Sequence, residues 1–109
     1  MKLDNYQRKA LKTAIYPEIG KNIIYPTLGL VGEAGELADK VKKIFRDDGG
    51  NMKPEVREAI INEIGDVLWY MAALCSELSV KMSEVAEKNL EKLNSRMKRD
   101  KLHGSGDER

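Results

Sequence analysis

Five consecutive residues, Asp47-Asp48-Gly49-Gly50-Asn51, interrupt two long runs of helical periodicity. Glycine costs about 1 kcal/mol relative to alanine inside a helix, and Asp and Asn favour turns, so neither helix extends through this stretch. Before it, Leu30, Val31, Ala34, Leu37, Ala38, Val41, Ile44 and Phe45 recur at helical spacing. After it, Ile60, Ile64, Val67, Met71, Leu74 and Leu78 alternate by four and three, the spacing of a bundle seam. Pro54 suits the first turn of the later helix, where its missing N–H is no loss. Two long helices joined by so few residues must run antiparallel. The chain is therefore expected to be all-α and four-helix bundle-like, built around that antiparallel pair.

The flanking segments fill in the other two helices. Asp4 is expected to cap the first helix and Pro17 to end it. The stretch from Pro17 to Pro26, with Gly20 between, reads as an irregular connector, after which Thr27 caps the second helix. Ser83 is expected to cap a fourth helix with Ala86, Leu90, Leu93 and Met97 as its core positions. From Val67 to Cys75 the third helix is apolar almost all round, so it needs cover on most sides. In a chain of 109 residues that cover is expected from a second subunit. Residues 1–98 read as one domain and 99–109 as a polar, mobile tail.

Charge excludes some partners. Nineteen basic residues against eighteen acidic give no electrostatic case for nucleic acid or a membrane surface. The lone cysteine, Cys75, rules out a disulfide within the chain and a cysteine-rich zinc site. It suits a reducing compartment. The N-terminus lacks a signal peptide's apolar core and no apolar run is long enough to span a bilayer, so a cytoplasmic location is expected.

Chemistry enters through four acids. Glu33 and Glu36 stand three apart before the turn, and Glu63 and Asp66 stand three apart after it. Residues at that spacing share one helix face. Two such pairs on neighbouring helices crowd like charges, which a hard cation with oxygen ligands relieves. No histidine lies near either pair, so Mg²⁺ or Mn²⁺ is favoured over Zn²⁺. Gly32 and Gly35, on the same helix, imply close approach by another helix or a ligand. Lys40, one turn beyond Glu36, and Lys92 on the fourth helix are candidate point charges for phosphate. Trp69 lies opposite the main stripe, where it can serve an interface or stack on a base.

These motifs match a family. The chain resembles the MazG-like all-α nucleoside triphosphate pyrophosphohydrolases, whose signature is Glu-x-x-Glu, a spacer, then Glu-x-x-Asp. Here it reads Glu33-Ala34-Gly35-Glu36 and Glu63-Ile64-Gly65-Asp66, with similar context in Leu28–Ala38, Glu63–Tyr70 and Val85–Leu93. The resemblance implies Mg²⁺-dependent hydrolysis of (deoxy)nucleoside triphosphates to the monophosphate and pyrophosphate, in nucleotide-pool house-cleaning. It implies metal ligation and catalysis by Glu33, Glu36, Glu63 and Asp66, substrate contact by Asn89 and Lys92, and a homodimer or dimer of dimers. Some relatives carry a doubled glutamate where this chain has Gly32, which removes one candidate ligand. The alternatives are a base-specific relative acting on dUTP, dCTP or phosphoribosyl-ATP, and a non-catalytic helical oligomerisation module.

Overall fold

A computed structural model describes residues 1–100 and 102–107 of the chain. The described residues form four helices and no strands: α1 (Leu3–Leu11), α2 (Ile24–Asp47), α3 (Pro54–Glu77) and α4 (Met82–Lys98). The turn between α2 and α3 falls where the sequence places it, and Pro54 opens α3. Gly50 N–H donates to the Ile44 carbonyl at 3.0 Å as the chain reverses. α2 and α3 form the most extensive helix pair, α1 lies on α3, and α4 packs against α1.

Three of the expected helix caps, Asp4, Thr27 and Ser83, do not serve as such, and at α4 the reason is that the capping groups come from another element. Asp4 lies inside α1, not before it. Its carboxylate instead accepts from the Ser83 backbone N–H at 3.0 Å and the Ser83 hydroxyl at 2.7 Å, capping α4 from outside. Gln7 completes this cap. Its Oε1 accepts from the Met82 N–H at 2.8 Å, and its Nε2 donates to the Val80 carbonyl at 2.9 Å. The free N–H groups that any helix start leaves over are thus satisfied by α1. Ser83 is consequently the second residue of α4 and not its cap.

Nor does Thr27 cap α2. The helix begins a turn earlier, at Ile24, with Asn22 Oδ1 accepting from the Tyr25 N–H at 3.0 Å. Thr27 Oγ1 donates back to the Ile23 carbonyl at 2.7 Å. Pro26 is fully buried in that first turn, where proline is tolerated. α1 also stops at Leu11, well short of Pro17. Thr13 donates both its N–H and its hydroxyl to the Ala10 carbonyl, closing the helix at 2.9 and 2.7 Å.

The connector from Pro17 to Pro26 is organised by one residue on α3. Glu77 accepts from the Gly20 N–H at 2.6 Å, the Asn22 N–H at 2.6 Å and the Tyr16 hydroxyl at 3.1 Å. These donors hold the Glu77 carboxyl below its ordinary range, the Asn22 N–H foremost. Tyr16 is buried beneath the loop, and burial, then Glu77, pushes its phenol up to about 12. The loop is irregular in backbone but not loosely attached.

The core is small and lies between α1, α3 and the start of α4: Ala10, Ala72 and Met82, with Tyr6, Leu68, Trp69 and Cys75 packed against them. Much of the apolar pattern points outward instead. Ile24, Leu28, Val31 and Phe45 on α2 are exposed, as are Ile64, Met71 and Leu78 on α3 and Leu90, Leu93 and Met97 on α4. Helical periodicity correctly marks an apolar stripe here; within one chain that stripe is not covered.

Candidate metal centre and substrate cavity

Where α2 and α3 face each other, the acid-bearing turns meet. One carboxylate oxygen from each of Glu33, Glu36 and Glu63 lies within 4.8 Å of the others. Glu63 is 8% exposed, Glu33 is partly buried and Glu36 is exposed, so the group runs from the helix interface to the surface. Asp66, the fourth expected ligand, is outside this group. It lines a cavity of about 320 Å³ on the same side, with Glu33, Thr13, Trp69 and Tyr70. Helical spacing put Asp66 beside Glu63 on one face of α3, but Glu63 is buried and Asp66 is exposed, so the two differ in depth.

The electrostatics are strained toward a missing positive charge. Lys40 Nζ sits 3.1 Å from Glu63 Oε1 and is the basic partner that holds the Glu63 carboxyl below its ordinary range. Lys40 is therefore committed to an acid and does not project freely. Lys43, on the next turn face, pairs with Asp39 at 2.7 Å. Glu33 has no basic partner among the described residues. Desolvation first, then a hydrogen bond to Glu63 and the charges of Glu36 and Asp66, push its carboxyl up to about 7. Glu33 Oε2 and Glu63 Oε2 are buried with no hydrogen-bond partner among the described residues. Buried carboxylate oxygens left unsatisfied are costly unless a cation or donor reaches them. The oxygen-only donor set and these two orphaned atoms fit a hard divalent cation.

Aromatic residues wall the cavity. Trp69 and Tyr70 meet edge to face, ring centroids 5.1 Å apart. Trp69 Nε1 donates to Thr13 Oγ1 at 2.8 Å, so the residue that ends α1 also fixes the indole. Tyr70 continues toward Tyr25 at 6.4 Å, which stacks on Tyr16 at 4.8 Å. Trp69 thus packs on the core with one edge and faces the cavity with another.

Gly29 permits this arrangement. A Cβ there would collide with the Tyr70 ring, 2.5 Å from Cδ1 and Cζ. Gly32 and Gly35, where the sequence leads one to expect close approach, have nothing within 4 Å. The close contact lies one turn earlier, and Gly29 was not singled out because a single glycine near a helix start carries no distinctive pattern.

Asn89 and Lys92 are not brought to the acids. Asn89 lines an apolar groove with Leu3, Leu68, Met71, Cys75, Met82, Val85 and Ala86. Lys92 Nζ lies 3.1 Å from Asp107. Glu77, Thr13 and Gln7, which position the site's elements, were missed, and Asp4 was assigned to its own helix, because polar pairs 55 to 79 residues apart leave no periodic trace.

The comparisons with known proteins agree with the motif. The chain is 49% identical over 114 residues to "Gene 37 protein" of Mycobacterium phage L5, the alignment covering all of both proteins. No solved structure matches it. Residues 26–100 match the MazG nucleotide pyrophosphohydrolase domain, a span that takes in both acid pairs, the cavity wall and α4, and the chain belongs to that family.

Proposed function

We propose that the chain is a nucleoside triphosphate pyrophosphohydrolase that releases the monophosphate and pyrophosphate, with Mg²⁺ held by Glu33, Glu36 and Glu63. The observation that carries this reading is the pair of orphaned buried oxygens, Glu33 Oε2 and Glu63 Oε2, inside a three-carboxylate group. Mg²⁺, when bound, supplies neutralisation of phosphate charge and acidifies water. The chain's own residues do the rest. Lys40 keeps Glu63 ionised and ready to ligate. Asp66, outside the carboxylate group but in the cavity wall, accepts the proton of the attacking water. Breaking the α–β anhydride then adds water's oxygen to phosphorus and releases pyrophosphate. Trp69 and Tyr70 offer a flat face for the nucleobase.

The functional unit in this reading is a homodimer or a dimer of dimers. The radius of gyration is 16.9 Å, against about 13 Å for a compact domain of this length. The chain exposes 8148 Å², whereas a compact monomer of 12.3 kDa exposes about 6,100 Å². An excess of roughly 2,000 Å² on each of two chains matches an obligate homodimer interface. The outward stripes of α2, α3 and α4 are the surfaces such a partner covers, and a partner's α4 is the route by which Asn89 and Lys92 reach substrate. No helix among the described residues is long and apolar enough to cross a membrane.

The test is a panel of ribo- and deoxyribonucleoside triphosphates, dUTP and dCTP among them, and phosphoribosyl-ATP, with Mg²⁺ and product identification. Pyrophosphate release that is lost in Glu36→Gln supports the proposal, and its selectivity separates a broad enzyme from a base-specific one. No turnover of any nucleotide, with a stable oligomer indifferent to Mg²⁺, would leave a helical oligomerisation module.

A further inference from the structure

Beyond α4 the chain places a carboxylate on two of that helix's cations. Asp107 follows Gly106, whose φ of +84° is a conformation that L side chains rarely adopt. Asp107 Oδ1 then accepts from Lys92 Nζ at 3.1 Å and from Arg96 at 3.4 Å. The Asp107 carbonyl accepts from the same Arg96 nitrogen at 2.6 Å, and the Gly106 carbonyl lies 3.4 Å away from it.

The three groups are unequal in setting. Arg96 is 4% exposed, and its Nε has no hydrogen-bond partner among the described residues. A buried guanidinium with an unused donor is a strong attractor for a second anion oxygen. Asp107 is the opposite: its side chain is 85% exposed. An exposed carboxylate on a lysine and a largely buried arginine is a weakly held anion on a well-built cation site. Lys92 and Arg96 are one helical turn apart, so both can face one anion.

We propose that Asp107 is an internal mimic of a phosphate group, and that the C-terminal segment is an autoinhibitory latch which a polyphosphate must displace from Lys92 and Arg96. The proposal rests on the pyrophosphohydrolase reading for its substrate. Phosphate has more charge and more acceptor oxygens than a carboxylate, and one of those oxygens can take the Arg96 Nε that Asp107 leaves unused. Pyrophosphate, the product, competes for the same cations, so the latch also favours product release.

Two measurements on the full chain test it. Isothermal titration with inorganic pyrophosphate, and the KM for a hydrolysed nucleotide, are compared between wild type, Asp107→Asn and Lys92→Gln. Removing the Asp107 charge should tighten pyrophosphate binding and lower KM about two- to five-fold, the range that loss of one exposed ion pair allows, with kcat changed less. Lys92→Gln should weaken pyrophosphate binding. Asp107→Ala repeats the first arm should the asparagine hydrogen-bond in place. Pyrophosphate affinity that stays the same or falls in both Asp107 variants overturns the latch, whether or not their melting temperature drops. The two readings fail separately. A wild type without turnover whose Asp107 variants still bind pyrophosphate more tightly loses the enzyme and keeps the anion site. Turnover with unaltered pyrophosphate affinity keeps the enzyme and loses the latch.

Discussion

Replacing Gly29 by alanine tests the cavity wall directly. The new methyl would overlap Tyr70 Cε1 and stand 2.5 Å from Cδ1 and Cζ of the same ring. Carbon atoms pack best at about 3.5–4.0 Å, so the ring must retreat by roughly 1 Å or turn away. Overpacking of this kind costs about 1–3 kcal/mol. Alanine returns about 1 kcal/mol of helix propensity, leaving a net loss of roughly 0–2 kcal/mol. In a domain near 100 residues, each 1 kcal/mol shifts Tm by about 4–8 °C, so a fall of up to about 16 °C is expected by circular dichroism. Trp69 is the sole tryptophan and touches Tyr70 edge to face, so its emission should change in the same variant before unfolding begins. Gly32→Ala is the control. With nothing within 4 Å, it should raise Tm through propensity alone. A Gly29→Ala protein as stable as wild type, with unaltered Trp69 emission, would refute the close Gly29–Tyr70 packing. A concentration-dependent loss in Gly32→Ala would instead put a second chain against that face.

Other outcomes follow from the same geometry. Glu33 has its folded value raised from 4.5 to about 7, so the stability it confers is complete below about 4.5 and is lost as pH rises through about 7. In chelator, Tm should therefore fall between pH 5 and 8, and Glu33→Gln should flatten that slope; Mg²⁺ should restore Tm at pH 8. Asp4 and Glu77 are depressed, so their contributions are present above their ordinary values of 3.8 and 4.5 and lost as pH falls through the lower folded ones, which acid melts of Asp4→Asn and Glu77→Gln should show as a weakened dependence. Asp66→Asn should lower kcat at least about 10²-fold, as removal of a general base does, while Mg²⁺ affinity measured by titration changes little; a large loss of Mg²⁺ affinity would make Asp66 a ligand. Leu90→Glu, on an exposed apolar position of α4, should shift sedimentation toward monomer without lowering the melting temperature of an isolated chain.

What the residues disclose on their own is local. Asp47–Asn51 and Pro54 mark the hairpin because turn chemistry acts within a few positions. The acid pairs are visible because i, i+3 neighbours share a face, and Glu33, Glu36 and Glu63 do converge. Asp66 does not join them within the same distance, since spacing along a helix says nothing about depth beneath its neighbour. Helix starts were harder. Asp4 looks like a cap for its own helix and is one for α4, because a capping carboxylate can come from any element that docks in reach. The stripe of Ile64, Met71, Leu90 and Met97 was legible as apolar, yet periodicity identifies a face to be covered and not the chain that covers it. The segment after α4 looked like a polar, mobile end by composition alone. Gly106 and Asp107 contact Arg96 and Lys92; Lys101, Glu108 and Arg109 fall outside the described residues.

The cap that α1 places on α4 makes the last helix a cantilever. Its root is clamped by Asp4 and Gln7 and Met82 packs into the core, while its exposed apolar positions Leu90, Leu93 and Met97 lie further along. Seventeen residues span about 25 Å, so a tilt of roughly 10° at the root carries the far end about 4 Å sideways. Lys92 and Arg96 ride near that far end. Whatever α4 rests against therefore sets where those two cations stand, and under the proposed reading a change in seating there would tune phosphate binding without touching a single acid of the carboxylate group.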